Sequence, residues 1–379
     1  MPHLLLLATV LLFTTAAPAA AIDPEVDQAV IDFAEREAFN GVILVADAGG
    51  ELSVHGFGHA DIERGLRTKV GTRYQLGSIA KWVTSIVVLG VADDGRLDLD
   101  TPIGKYLDGL PPETASKVTL RHLLSHRSGV PNGLIAAYQA DPTALDEPLP
   151  LGEAVRRFAS DPLAFEPGGD FDYSHSNWIL VQAVVESVEG KPFHEVIDDR
   201  LVRPLKLENT GVFSDDRPEP TISVGYESLD PPEPVTGPAP AYLAAAGGIY
   251  STALDLLDIA AALDNGILLP PARVRDLNTV LTPDPDLSNG GLTGGYALGG
   301  RVCAMTLAGD DTPRLALWHS GSNGPWKTRL TRLPATGETV ITMTNADTDH
   351  AITGALAEQI LALLREPGVP RDAGTDEKP

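Results

Sequence analysis

The 379-residue chain carries 52 acidic and 28 basic side chains, a formal net charge of −24, and 43% apolar residues. That length and apolar share suffice for one or two buried cores, while the acidity and the lack of a basic stripe exclude nucleic acid as a partner, because nothing would neutralise its phosphates. A single cysteine excludes an internal disulfide framework, and Cys303, in the strand-like "GGRVCAMTLAG", reads as a small buried hydrophobe.

In chain order, "MPHLLLLATVLLFTTAAPAAA" joins an uncharged apolar run from Leu4 to Phe13 to small residues ending in Ala19-Ala20-Ala21. This is the pattern of a cleaved secretory signal over residues 1–21, with the mature chain starting near Ile22 and a secreted or periplasmic location. The run is too short to span a bilayer comfortably, so the membrane enters only if the signal stays uncleaved. Next, "FNGVILVADAGG" and "ELSVHGFGHAD" read as two strands joined at Gly49-Gly50. The middle of the chain is helical in pattern, with candidates at 79–94, 119–126, 152–159, 176–189, 193–201 and 253–264, and Gly95 and Gly190 as stops. Toward the end, "YALGGRVCAMTLAG", "RLALWHSG", "WKTRLTRLP" and "ETVITMTN" return to strand-like runs, followed by the helical spacing of "AITGALAEQILALLRE". Two Pro-rich stretches, "DRPEPTISVGYESLDPPEPVTGPAPA" and "EPGVPRDAGTDEKP", read as an exposed loop and a disordered tail over 366–379.

Strands at both ends and helices between them predict an α+β fold. One antiparallel sheet is built from both termini, over about 24–75 and 292–365, with flanking helices and a mainly helical region inserted over about 76–291. The expected globular domain covers 22–365. A site at the junction of sheet and helices is expected.

The stretch "YQLGSIAKW" places Ser78 one helical turn from Lys81, so that an amine projects beside a hydroxyl. Ser78 follows Gly77 at the start of an apolar helix, where unpaired backbone N–H groups and the positive end of the dipole stabilise a developing oxyanion. Serine is also a favoured N-cap, which is the purely structural account of the same residue. Burial of this helix would desolvate Lys81 and fit it to act as a base. His122 and His126 lie four apart, but no third ligand stands at a telling spacing, so no metal and no cofactor are expected. The chain contains no Gly-x-Ser-x-Gly, which removes the nucleophile elbow of the α/β-hydrolases.

Together "YQLGSIAK", "FDYSHSNWILVQAVVESVEGKPF" and "LWHSGSNGPW" resemble the three motifs of the serine β-lactamase and penicillin-binding-protein superfamily. Within it the chain is most similar to the branch holding class C β-lactamases, D-Ala-D-Ala carboxypeptidases and β-lactamase-like esterases. "GRLDLDTPIGKYL", "VTLRHLLSHRSGVP" and "AAGGIYSTALDLL" agree in order and spacing, and the likeness runs from about residue 30 to about 362. The resemblance implies that Ser78 is the nucleophile and Lys81 its base. The second motif, Tyr-x-Asn, falls on Tyr173-Ser174-His175, with His175 in place of Asn. The third, Lys-Thr-Gly or His-Thr-Gly, falls on His319-Ser320-Gly321, with Ser320 in place of Thr.

The implied activity is acyl transfer through a Ser78 ester. Lys81 and Tyr173 share the proton transfers, the backbone N–H groups of Ser78 and Ser322 hold the oxyanion, and His175, His319, Ser320 and Gly321 line the substrate. Lysine in the third motif would hold a substrate carboxylate with a permanent cation, whereas His319 is only partly charged near neutral pH. This favours an ester, amide or D-amino-acid peptide as small-molecule or peptide substrate. The alternatives are a class C-like β-lactamase or D-Ala-D-Ala carboxypeptidase and, from another class, a ligand-binding homologue without turnover.

Overall fold

The strand Gly41–Ala46 pairs antiparallel with Leu52–Phe57 on one side and with Thr339–Thr344 on the other, so both ends of the chain share one sheet. The computed structural model describes residues 22–364 apart from 146, 215–220, 236, 238, 285–292 and 309–311; the expected signal and tail lie outside the described residues. Among the described residues, eight strands form the sheet in the order Thr282–Pro283, Thr293–Tyr296, Arg301–Met305, Arg314–Asn323, Trp326–Arg332, Thr339–Thr344, Gly41–Ala46, Leu52–Phe57. Gly41 allows the closest approach in this pairing, since a β-carbon there would stand 2.0 Å from the Met343 carbonyl oxygen.

Both faces of the sheet are covered, which is why "GVILVA" is apolar at every position and does not alternate. Val42 and Leu44 share a core with Ile341, Met343 and the helix Ile79–Asp93. Ile43 and Val45 join Cys303, Val340 and the helices Pro24–Arg36 and His350–Leu363 on the other face. Each buried Val, Leu or Ile side chain contributes about 1.5–3 kcal/mol. Pro24–Arg36 is a helix inside the stretch expected as sheet. Its signal is in the sequence: Val26, Val30 and Phe33 recur at helical spacing, Pro24 occupies the first turn, and Asp23 accepts a hydrogen bond from the Glu25 N–H.

The stretch expected as mainly helical, about 76–291, also carries short strands at Gly211–Val212 and Ile249–Ser251, and its strand Thr282–Pro283 pairs with Thr293–Tyr296 at the edge of the main sheet. Thirteen of the fifteen residues of Ile79–Asp93 are buried, as an all-round apolar helix requires. Ser176–Glu189 ends at Gly190, whose φ of +69° is the left-handed cap that glycine adopts without strain. The expected exposed loop is only partly irregular. Gly225–Leu229 and Pro232–Val235 form a hairpin within it, anchored by the buried Tyr226, whose Oη accepts from the Ile62 N–H at 2.7 Å. Among the described residues, no helix is long and apolar enough to cross a membrane.

Candidate active site

Lys81 Nζ donates to Ser78 Oγ at 2.9 Å and to the Ala246 carbonyl at 2.8 Å. Ser78 stands at the start of the helix, yet its side chain makes no capping hydrogen bond, so capping does not account for the hydroxyl. Lys81 is fully buried, and desolvation, with the positive charge of Arg301 added to it, lowers its pKa to about 7. A neutral amine at this distance can accept a serine proton along the same contact. The ammonium form is further cushioned by the rings of Tyr173 and Trp178, whose centroids lie 5.3 and 5.8 Å from Nζ.

The strand Arg314–Asn323 is covered on one side by Arg301–Met305 only as far as Trp318. Residues 319–323 therefore run past their neighbour and meet the start of the Ser78 helix. The approach is close enough to demand two glycines. A β-carbon on Gly321 would lie 2.0 Å from the Leu76 carbonyl oxygen, and one on Gly77 would lie 2.4 Å from the Ser322 nitrogen. Gly77 also has a φ of +51°. Thr328 Oγ1 donates to the Leu76 carbonyl at 2.7 Å, and Asn323 Nδ2 donates to Gln75 Oε1 and to the Gly247 carbonyl, each at 2.9 Å. These bonds lock the strand end against the turn that leads into Ser78, which brings the Ser322 backbone nitrogen beside it.

Tyr173 precedes the buried helix Ser176–Glu189, and its ring stacks on His126 with centroids 4.2 Å apart. His126 Nδ1 accepts from the Ser174 N–H at 3.0 Å, while the His122 ring accepts from the Thr119 N–H in a capping box. The two histidines thus serve separate structural purposes. His175 is held by a residue that the sequence reading passed over. Asn132 Oδ1 accepts from the His175 N–H at 3.2 Å, and its Nδ2 donates to the Tyr173 carbonyl at 3.2 Å and lies 3.4 Å from His175 Nδ1. Desolvation and the charge of Lys81 push His175 down to about 3, so it presents a neutral imidazole in place of the motif amide.

His319 is buried behind the strand edge. Its Nδ1–H donates to the Ser320 carbonyl at 2.6 Å, and its Nε2 accepts from Tyr296 Oη at 3.2 Å. Burial, together with Arg301 and Lys81, holds it well below the usual imidazole range. It is a neutral group, where the sequence reading expects a partly charged one. Ser320 is half-buried, and the exposed Ser322 turns its hydroxyl toward the last helix, 2.8 Å from His350 Nε2. Two further groups escaped the sequence reading. The Ala246 carbonyl sits in "AAAGG", where the glycines announce only a turn. Arg301 is buried, ion-paired to the buried Asp284 at 2.7 Å, and set over the rings of Trp318, Tyr296 and Tyr173. A lone arginine inside an apolar strand was its available signal.

The profile of the family described as Beta-lactamase matches residues 26–365. The esterase EstB of Burkholderia gladioli is 33% identical over 231 residues, which are 58% of this chain and 57% of that protein. A Bacillus subtilis protein bearing the name penicillin-binding protein PbpX is 27% identical over 245 residues, 64% of this chain and 59% of its own length. The match thus spans less than two thirds of these curated relatives. A D-stereospecific amidohydrolase from Streptomyces superposes with a TM-score of 0.71 at 25% identity, covering 88% of this chain and 98% of that one.

Proposed function

Because the chain belongs to the Beta-lactamase family of serine hydrolases, we propose that it hydrolyses an ester, amide or D-amino-acid peptide through an acyl-enzyme on Ser78. The observation that carries this reading is the 2.9 Å contact between Ser78 Oγ and a fully buried Lys81 whose pKa falls to about 7. Ser78 Oγ attacks the carbonyl carbon while its proton passes to Lys81 Nζ. The oxyanion forms between the backbone N–H groups of Ser78 and Ser322. The carbon–leaving-group bond then breaks, and the departing oxygen or nitrogen takes up a proton through Lys81 and Tyr173. Water, losing its proton to the same pair, attacks the ester and frees Ser78.

The substrate class follows from charge. A neutral, buried His319 gives no cation to a carboxylate beside the scissile bond, which supports neutral esters and amides over β-lactams. The esterase and amidohydrolase relatives support the same choice. β-Lactam hydrolysis or D-Ala-D-Ala carboxypeptidation is the second reading, supported by the relative that bears a penicillin-binding name. The signal-like pattern of residues 1–21 supports a secreted or periplasmic enzyme. A panel of p-nitrophenyl acetate, D-alanine p-nitroanilide and nitrocefin tests the choice. The highest kcat/KM on one of the first two supports this reading, and the highest on nitrocefin replaces it with the second.

A further inference from the structure

Arg301 opens the strand Arg301–Met305 opposite Trp318, and its side chain turns into the space between the sheet and the second-motif tyrosine. Its guanidinium carbon lies 4.9 Å from the Trp318 ring centroid, 5.6 Å from Tyr296 and 6.0 Å from Tyr173. Nε donates to Asp284 Oδ2 at 2.7 Å, with 8% of the arginine and 1% of the aspartate side chain exposed. A buried ion pair is a poor device for stability, because desolvating two charges costs as much as their attraction returns. Its place against the ring of Tyr173 suggests a use in the chemistry.

We propose that the buried Arg301–Asp284 pair sets the electrostatic field at Lys81 and Tyr173, delivering from behind the site the positive charge that the neutral His319 does not deliver from the strand edge. The inference rests on the acyl-transfer reading above and adds a positioning pair to it. A guanidinium at this place opposes protonation of Lys81 and favours a negative charge on the Tyr173 oxygen, so each group is drawn toward its proton-accepting form. Asp284 tempers that field. The carboxylate therefore tunes the arginine, and removing either partner should move the site in opposite directions.

The other groups that share this region leave the assignment to Arg301 intact. Lys81 faces Ser78, Tyr173, His126, His175 and His319, and all three histidines are held neutral by burial. Arg301 faces His319, Tyr296, Trp318 and Tyr173, with the Arg329 guanidinium carbon 4.3 Å from the Trp318 ring centroid and His350 at the start of the helix His350–Leu363. Of these, Arg301 is the permanent cation whose charge reaches Lys81.

The test is the pH dependence of kcat/KM for p-nitrophenyl acetate, an uncharged substrate, in the full chain. Arg301→Gln should move the acid limb up by about one pH unit, the low end for loss of a nearby charge, and Asp284→Asn should move it down. Arg301→Lys, which keeps the charge, should stay close to wild type. Because Asp284→Asn already takes the carboxylate away, Arg301→Gln is also made on the Asp284→Asn background, where it should move the limb back up. Limbs that stay put, or that move together in one direction, overturn the inference. Labelling of Ser78 by a fluorophosphonate in the same preparations separates the two claims: unlabelled wild-type Ser78 defeats the acyl-enzyme reading itself, whereas labelled Ser78 with unmoved limbs defeats only the role of the pair.

Discussion

A β-carbon on Gly77 would stand 2.4 Å from the backbone nitrogen of Ser322. The turn before Ser78 and the strand edge are therefore fitted together at backbone contact, and that fit brings a second N–H beside Ser78. Gly77→Ala adds both this clash and the strain of φ +51°. Acylation by a fluorophosphonate should fall by at least about 10², the range for losing one oxyanion donor. Gly71→Ala, where a β-carbon meets open space, should leave the rate unchanged. Comparable rates for both variants would separate the fit from catalysis.

The donor assigned to Ser322 is its backbone N–H, while its hydroxyl is spent on His350 Nε2 at 2.8 Å. Ser322→Ala keeps the N–H and should keep acylation within about tenfold of wild type. Ser322→Pro removes it and should cost about 10²–10³. Single-turnover acylation of both variants, with circular dichroism to check the fold, measures the difference.

Lys81 makes a prediction about stability as well as rate. Its folded pKa of about 7 lies below its ordinary value of 10.5, so between these limits the unfolded chain binds a proton that the folded chain does not. The cost of burying the amine is complete below pH 7 and fades as pH rises toward 10.5. Compared with Lys81→Met, the wild type should gain about 1.4 kcal/mol of unfolding free energy per pH unit through that window. Urea denaturation at pH 7, 8 and 9 reads the slope, and a constant difference between the two proteins would place the lysine pKa elsewhere. Lys81→Met should also lose hydrolysis by at least about 10².

Selectivity follows from the neutral His319. His319→Lys adds a cation behind the strand edge and should shift kcat/KM toward nitrocefin, relative to p-nitrophenyl acetate, by about 1 kcal/mol, the net worth of one hydrogen bond, or roughly fivefold. The shift should be restrained by Arg301, which opposes a second positive charge nearby. A ratio that moves toward the ester would contradict the charge argument.

Much of this architecture was legible because it depends on local rules. The all-round apolar run after Ser78 allowed only a buried helix, and burial of Lys81 followed from it. The hairpin at Gly49-Gly50 was readable from the turn residues, with Asp47 Oδ1 accepting the Gly49 and Glu51 N–H groups. What escaped the reading depends on distant pieces of chain. Asn132 looks like an ordinary turn residue until it brackets Tyr173 and His175 more than forty positions away. The charge state of His319 needed its burial and the approach of Arg301, neither of which spacing reveals. Pro24–Arg36 is a different case, since the helical period of Val26, Val30 and Phe33 is local and present in the sequence.

The central claim is that Ser78 carries the acyl group. Incubating the purified protein with a fluorophosphonate and mapping the adduct by mass spectrometry tests it most directly. The account predicts a single modified peptide containing Ser78, with no label on Ser78→Ala and slowed labelling on Lys81→Ala. Label on another residue that persists unchanged in Ser78→Ala would contradict it.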